Sequence, residues 1–145
     1  MLNSLNVSAS GLTAQRLRMD IISDNIANVN TTRTADGGPY RRKVPVFEAK
    51  QGSFNNVLHN KMNSDKNQTG DGVRVSKISE DQSPFRMVHN PQHPDADQEG
   101  YVAKPKVNIT TEKVDMIDAS RAYEANVTAL NTSKKMAMQG LQIGK

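Results

Sequence analysis

Residues 2–29, LNSLNVSASGLTAQRLRMDIISDNIANV, contain no proline, and their pattern decides the fold. Leu2, Leu5, Ala9, Leu12, Arg16, Met19, Ser23 and Ile26 fall at spacings that alternate between three and four, and six of these eight are apolar. That alternation keeps one seam of an α-helix turned towards a partner helix. It predicts a helix over residues 3–29, with Ser4 able to cap its start. Val7, Ala14, Leu17 and Ile21 form a second stripe on roughly the other side, and Gly11 sits inside at a cost in helix propensity.

A second helix is expected over residues 112–143, with Thr111 as its cap. Glu112, Asp115 and Asp118 near its start and Lys134 and Lys135 near its end complement the helix dipole. Its seam runs Met116, Ser120, Tyr123, Val127, Leu130, Lys134, Ala137, Leu141. A further stripe of Ala119, Ala122, Ala129, Met136 and Ile143, with Asn126, Ser133 and Gly140 between, is mostly small and lets another helix approach closely. Each helix would be on the order of 40 Å long. Two apolar faces on each helix require more than one partner. One is the other helix of the chain; the second is either the chain's own β-region or another chain, and periodicity alone leaves that choice open.

Residues 31–111 read differently. They hold all six prolines and five of the six aromatic residues, Tyr40, Phe47, Phe54, Phe85 and Tyr101. Extended stretches are expected at Tyr40–Ala49, Gly72–Glu80, Phe85–His89 and Tyr101–Ile109. Asp36-Gly37-Gly38-Pro39 and Gly70-Asp71-Gly72 are turn signals. Residues 51–71, rich in Asn, Ser, Gly, Lys and Gln, read as a mobile loop. The organisation is an α+β chain: an N-terminal helical segment over 1–30, an inserted β-rich module over 31–111, and a C-terminal helical segment over 112–145, with the long helices paired as in a coiled coil.

The composition restricts the chemistry. Hydrophobic residues make up 35% and aromatic residues 4% of the chain, too little for a rich core, so part of the stabilisation is expected from partners. The absence of cysteine excludes disulfides, thiol catalysis and cysteine-based zinc sites. No run of 18 apolar residues exists. Met1-Leu2-Asn3-Ser4-Leu5 lacks the basic start and apolar core of a cleavable secretory signal, so either a cytoplasmic location or export without cleavage is expected. The net charge of +4 is dilute and lies mainly in the middle, as on a solvated surface.

Candidate sites are few. His89, His93, Asp95 and Asp97, with His59 in reserve, offer metal-ligating side chains, but Pro91 and Pro94 break any helix that would align the histidines. A turn-rich structural loop is the expected reading, with no metal or cofactor. Phosphate-loop and Gly-x-Ser-x-Gly motifs are absent, and no carboxylate lies in an apolar run, so catalysis has no support. Arg41-Arg42-Lys43 beside Tyr40 is a short basic cluster. It suits a polar contact with a neighbouring subunit or a solvated strand start better than a polyanion site, because aromatic residues do not interleave with its cations. A small basic binding module for nucleic acid or a membrane surface, and a metal-dependent enzyme built on the histidine loop, are the alternatives.

Several ordered blocks go further. Ser8–Arg16 (SASGLTAQR) and Asn25–Thr31 (NIANVNT) resemble the N-terminal signature of the flagellar rod and hook protein family, and Met116–Asn126 (MIDASRAYEAN) resembles its C-terminal signature. Thr32–Arg42, Gly72–Val75, Asp81–Phe85, Asn90–Asp97, Gly100–Pro105 and Val107-Asn108 are similar to the proximal-rod members of that family, whereas Glu112-Lys113 stands where the family often carries Glu-Met.

The resemblance implies a non-enzymatic structural subunit of the basal-body rod. It implies paired terminal helices in the inner tube, an outer β-module, type III export through the flagellar secretion apparatus without a cleaved signal, and a periplasmic location. The implied partners are further copies of the chain, other rod proteins, the membrane-ring base and the export apparatus; nucleic acid and small-molecule substrates are not among them. The seam residues expected at the subunit interface are Leu5, Leu12, Met19 and Ile26 on the first helix and Met116, Tyr123, Val127, Leu130 and Leu141 on the second. Arg41 and Arg42 are expected as polar interface residues.

Overall fold

A computed structural model describes residues 2–50 and 72–143. The element order is α1 (Leu2–Ala27), β1 (Lys43–Ala49), β2 (Val73–Glu80), β3 (Arg86–His89), β4 (Tyr101–Lys104) and α2 (Ile109–Ile143). This is the expected α+β arrangement of two long helices around a small β-rich insert. The expected loop over 51–71 lies outside the described residues.

α1 ends because Asn28 turns the chain. Its backbone N–H and its side-chain Nδ2 both donate to the Asp24 carbonyl, each at 3.0 Å, and its Oδ1 accepts from the Thr31 hydroxyl at 3.1 Å. The following turn closes on Thr34, whose N–H donates to the Gly38 carbonyl. Gly37 and Gly38 both have φ near +80° there, a conformation that glycine adopts without a Cβ clash.

α2 starts at Ile109, three residues before the position that the sequence pattern suggested. Asn108 is its cap: Oδ1 accepts from the N–H groups of Thr110 at 2.9 Å and Thr111 at 3.4 Å, satisfying amides that the first helical turn leaves unpaired. An amide oxygen at Asn108 serves these N–H groups, so Thr111 becomes part of the first turn. β4 correspondingly stops at Lys104, before Pro105, which has no N–H for the ladder.

The strands form two two-stranded sheets, β1 with β2 and β3 with β4. β1 and β2 run antiparallel: the Asp81 N–H donates to the Arg42 carbonyl at one end and the Lys50 N–H to the Gly72 carbonyl at the other, both at 2.8 Å. In the second sheet Arg86 faces Lys104, Met87 faces Ala103, Val88 faces Val102 and His89 faces Tyr101. Alternation puts Val88 and Val102 on one face and Met87, His89 and Tyr101 on the other. Val102 is buried, whereas Met87 and Tyr101 are exposed.

Two compact units emerge. One takes its described residues from Met1–Arg16, Val46–Lys77 and Ser120–Lys145; the other comprises Leu17–Pro45 and Ile78–Ala119. Among the described residues the buried apolar side chains are few. Ala14 belongs to the first unit, and Ile21, Ile22, Tyr40, Val102 and Ala119 to the second.

Candidate assembly interface

In the unit formed by Leu17–Pro45 and Ile78–Ala119, α1 and α2 meet around charge. Glu112, on the first turns of α2, is fully buried, and Asn25, near the end of α1, is 1% exposed. The Arg42 Nε donates to Glu112 Oε1 at 2.6 Å, and the Asn25 Nδ2 donates to Glu112 Oε2 at 3.2 Å. Asn25 fills its remaining capacity on the approach to β1. Its Nδ2 also donates to the Lys43 carbonyl, and its Oδ1 accepts from the Lys43 N–H and the Tyr40 hydroxyl, all at 2.9 Å. Two turns back along α1 and about one turn further into α2, the Arg18 Nη2 pairs with Asp115 Oδ1 at 3.1 Å, and the Arg42 Nη2 lies 3.6 Å from Asp115 Oδ2. Two cations thus face two anions, and the cluster is neutral. Position 25 pairs with 112 and position 18 with 115, so the helices are antiparallel here.

The same cluster acts on Tyr40. Burial raises its pKa above the ordinary value of 10.0, and the negative charges of Asp24, Glu112 and Glu80 push the same way. At the turn after β2, Asp81 accepts from the Ser83 hydroxyl at 2.6 Å and the Ser83 N–H at 2.8 Å, bonds that hold its carboxyl below the usual value. Asp81 also offers its backbone carbonyl to Arg41, whose guanidinium lies 4.5 Å over the Phe85 ring. Arg41 and Arg42 therefore both have partners within the chain. An open cleft of ≈ 720 Å³ adjoins Arg42, with Asn30, Arg86, Lys106 and Asn108 in its lining.

The other unit joins its helices differently. Gly11 of α1 lies directly against Asn126 of α2. A Cβ added at Gly11 would come within 2.9 Å of the Asn126 Oδ1, while Asn126 is itself tied to the Ala122 carbonyl by a 2.8 Å bond. The absence of a side chain is what lets the helices approach, which accounts for a glycine in the middle of α1. The sheet attaches to the same helix through Ser10. Its hydroxyl donates to the Val7 carbonyl at 2.7 Å and accepts from the Val73 N–H at 3.1 Å. Gly72, with φ of +105°, packs so tightly on Ser10 that a methyl group there would overlap the Ser10 Oγ.

These contacts sort the two stripes of α1. Gly11, Arg18 and Asn25, which meet α2, lie with the buried Ala14 and Ile21 on the stripe opposite the alternating seam, while Ile22, also buried, lies on neither. Leu5, Leu12, Met19 and Ile26 of the seam are only half-buried, and Ala9, Arg16 and Ser23 are exposed. On α2, Ala119 is fully buried, Met116, Tyr123, Val127 and Leu130 are half-buried, and Leu141 is 76% exposed. Val114, Ile117, Met136 and Met138 are also more than half exposed, so a long helix carries large apolar groups that the chain itself leaves in water.

The sequence compared with known proteins explains such a helix. Residues 5–33 match the family model described as flagella basal body rod protein, and residues 98–143 match the one described as flagellar basal body rod FlgEFG protein C-terminal. The flagellar basal-body rod protein FlgC of Bacillus subtilis (strain 168) is 51% identical, over 99% of this chain and 97% of the relative. The FlgC proteins of Borreliella burgdorferi and Salmonella typhimurium (strain LT2) are 49% and 34% identical, again over nearly the full length of both chains. The chain belongs to the FlgC family of flagellar basal-body rod proteins. It is a structural rod subunit, its place is the basal body of the bacterial flagellum, and other rod components are its assembly partners. The two matched segments of the FlgC-type chain cover nearly all of α1 and α2, the elements that carry the half-buried seam and the exposed apolar groups.

The histidine loop is built from turns. His93 Nδ1 accepts from the Asp95 N–H at 3.1 Å, Asp97 Oδ1 accepts from the N–H groups of Glu99 and Tyr101, and the Thr32 hydroxyl donates to Asp95 at 2.8 Å. His89 stacks edge-on against Tyr101 with ring centroids 5.1 Å apart. His59 lies outside the described residues, and among those described no group of three or more His, Asp or Glu is placed to hold a metal ion. The buried partnership of Asn25 and Glu112 was not anticipated. A signal for it existed: Val7, Gly11, Ala14, Arg18, Ile21 and Asn25 also alternate by four and three, and polar residues inside such a seam require buried partners.

Proposed function

We propose that this rod subunit polymerises through α1 and α2, links the membrane ring to the distal rod, and transmits torque mechanically, without catalysis. The observation that carries this reading is the set of large apolar groups that α2 leaves exposed, Val114, Ile117, Met136, Met138 and Leu141, beside a seam of α1 that is only half-buried. Leu5, Leu12, Met19 and Ile26 on α1, with Met116, Tyr123, Val127, Leu130 and Leu141 on α2, form the contacts to neighbouring subunits. Each fully buried Leu or Val contributes about 1.5–3 kcal/mol, so a line of such contacts suffices for a stiff filament. Arg41 and Arg42 add a polar contact to the next subunit alongside their bonds to Asp81, Glu112 and Asp115.

Assembly takes place in the periplasm, after export by the flagellar secretion apparatus without cleavage of a signal. Neighbours supply the apolar cover that the small core lacks. The test is a clean deletion of the gene in its own bacterium, scored by motility and by electron microscopy of extracted basal bodies. Non-motile cells without rods, restored by the gene in trans, are expected. Motile cells with intact rods would overturn the proposal.

A further inference from the structure

Replacing a buried ion pair by packed apolar groups is commonly neutral or stabilising. The charges at the helix seam of the Leu17–Pro45 and Ile78–Ala119 unit therefore call for an explanation other than stability. The apolar pattern alone is permissive. A slip of α2 by one turn would bring Met116 to the place of Glu112, an exchange that burial of apolar surface does not oppose. The polar groups do oppose it. Glu112 is fully buried and meets both Arg42, at 2.6 Å, and Asn25, at 3.2 Å, while Asp115 meets Arg18 at 3.1 Å. Arg42 is not free to follow a moving helix, because Asn25 of α1 holds both backbone groups of the adjacent Lys43. A slip would strand a carboxylate in the seam, leave the Arg42 Nε without its acceptor and take from the Asn25 Nδ2 one of its two acceptors.

We infer that the cluster of Arg18, Asn25, Arg42, Glu112 and Asp115 sets the register of the terminal helix pair. Arg42 and Asn25 are the fixed reference and Glu112 is the residue that reads it. The cluster thereby decides which outward residues of α2, Val114 and Ile117 among them, stand level with a given point on α1. This device belongs to the single subunit and goes beyond the role in the rod, so it is tested on the isolated chain and independently of motility.

The chain has no cysteine, so spin labels can be placed at Asp20→Cys on α1 and Asp118→Cys on α2, both exposed positions of this unit, and their separation measured by pulsed electron paramagnetic resonance. The parent is expected to give one narrow distance. The double variant Arg42→Met/Glu112→Leu, which removes the charges and keeps apolar volume, is expected to keep its helical circular dichroism while the distance distribution splits or broadens, because a slip of one turn moves α2 by about 5 Å along α1. One narrow distance unchanged in the double variant would overturn the inference. Loss of helix in that variant would overturn it equally, since the cluster would then be supplying stability instead of register.

Discussion

The two units join the same two helices by opposite means. In the unit of Leu17–Pro45 and Ile78–Ala119, side chains with full charges fill the seam, and specificity comes from matching Glu112 to Arg42 and Asn25. In the unit that contains Met1–Arg16 and Ser120–Lys145, close approach comes from leaving atoms out: Gly11 admits Asn126 of α2 at the helix seam, and Gly72, just before β2, admits Ser10 where the sheet meets α1. A polar seam tolerates one arrangement and punishes others, because a buried unpaired charge is costly. A seam of small residues brings backbones close but discriminates weakly between neighbouring positions. The difference teaches that close packing and correct alignment are separate tasks, and that this chain assigns them to different stretches of the same helices.

The largest effect on the subunit itself is expected from breaking the polar seam on one side only. Arg42→Met leaves Glu112 buried without its counter-charge and should lower stability by about 3 kcal/mol, the low end for a buried pair because Arg42 is about one quarter exposed. Urea denaturation followed by circular dichroism measures it. A loss under 1 kcal/mol would mean that Asn25 alone satisfies Glu112.

Next comes the glycine contact of the other unit. Gly72→Ala forces a side chain into positive φ and into the Ser10 hydroxyl, and should cost about 1–3 kcal/mol. The same assay reads it, and Gly72→Ala combined with Ser10→Ala should recover only the part due to overlap.

A smaller effect concerns Tyr40. Its raised pKa means that the folded chain keeps the phenolic proton to higher pH than the unfolded chain does, so this contribution to stability is complete below the unfolded value of 10.0 and is lost as pH rises through the folded value. Tyr40→Phe removes that alkaline loss at a cost of about 1 kcal/mol for the bond to Asn25. Urea midpoints at about pH 8 and about pH 11 compare the two chains. The smallest effect is at Gly11. Alanine there gains about 1 kcal/mol of helix propensity but presses on Asn126, so Gly11→Ala alone should be near neutral, whereas the gain should appear in full beside Asn126→Ala.

Much of this comparison was legible in the sequence. The alternation of Leu5, Leu12, Met19 and Ile26 marked a helix, the small stripe with Ala119, Ala122 and Asn126 marked close approach, and the prolines and aromatic residues marked the β-rich insert. Strand positions were found to within three residues at their starts, and β4 was overextended because Pro105 was not taken as its end. The site was less legible. Glu112 read only as a residue complementing the helix dipole, because periodicity within one helix does not show what Arg42, seventy positions away, brings to it. The start of α2 was missed for a similar reason: Thr111 and Asn108 are both acceptable caps, and only the surrounding backbone selects Asn108. Which of the two α1 stripes faces the chain itself also needed the structure, since both are apolar.

The most direct test of the assembly reading uses the large apolar residue that is most exposed among the described residues. Leu141 is 76% exposed, so Leu141→Asp leaves the isolated subunit without a buried charge and should leave its circular dichroism and urea midpoint unchanged. Expressed in a deletion strain, this variant is expected to yield non-motile cells whose extracted basal bodies lack rods by electron microscopy. Motile cells with complete rods would contradict the claim that the exposed apolar face of α2 is where neighbouring subunits bind.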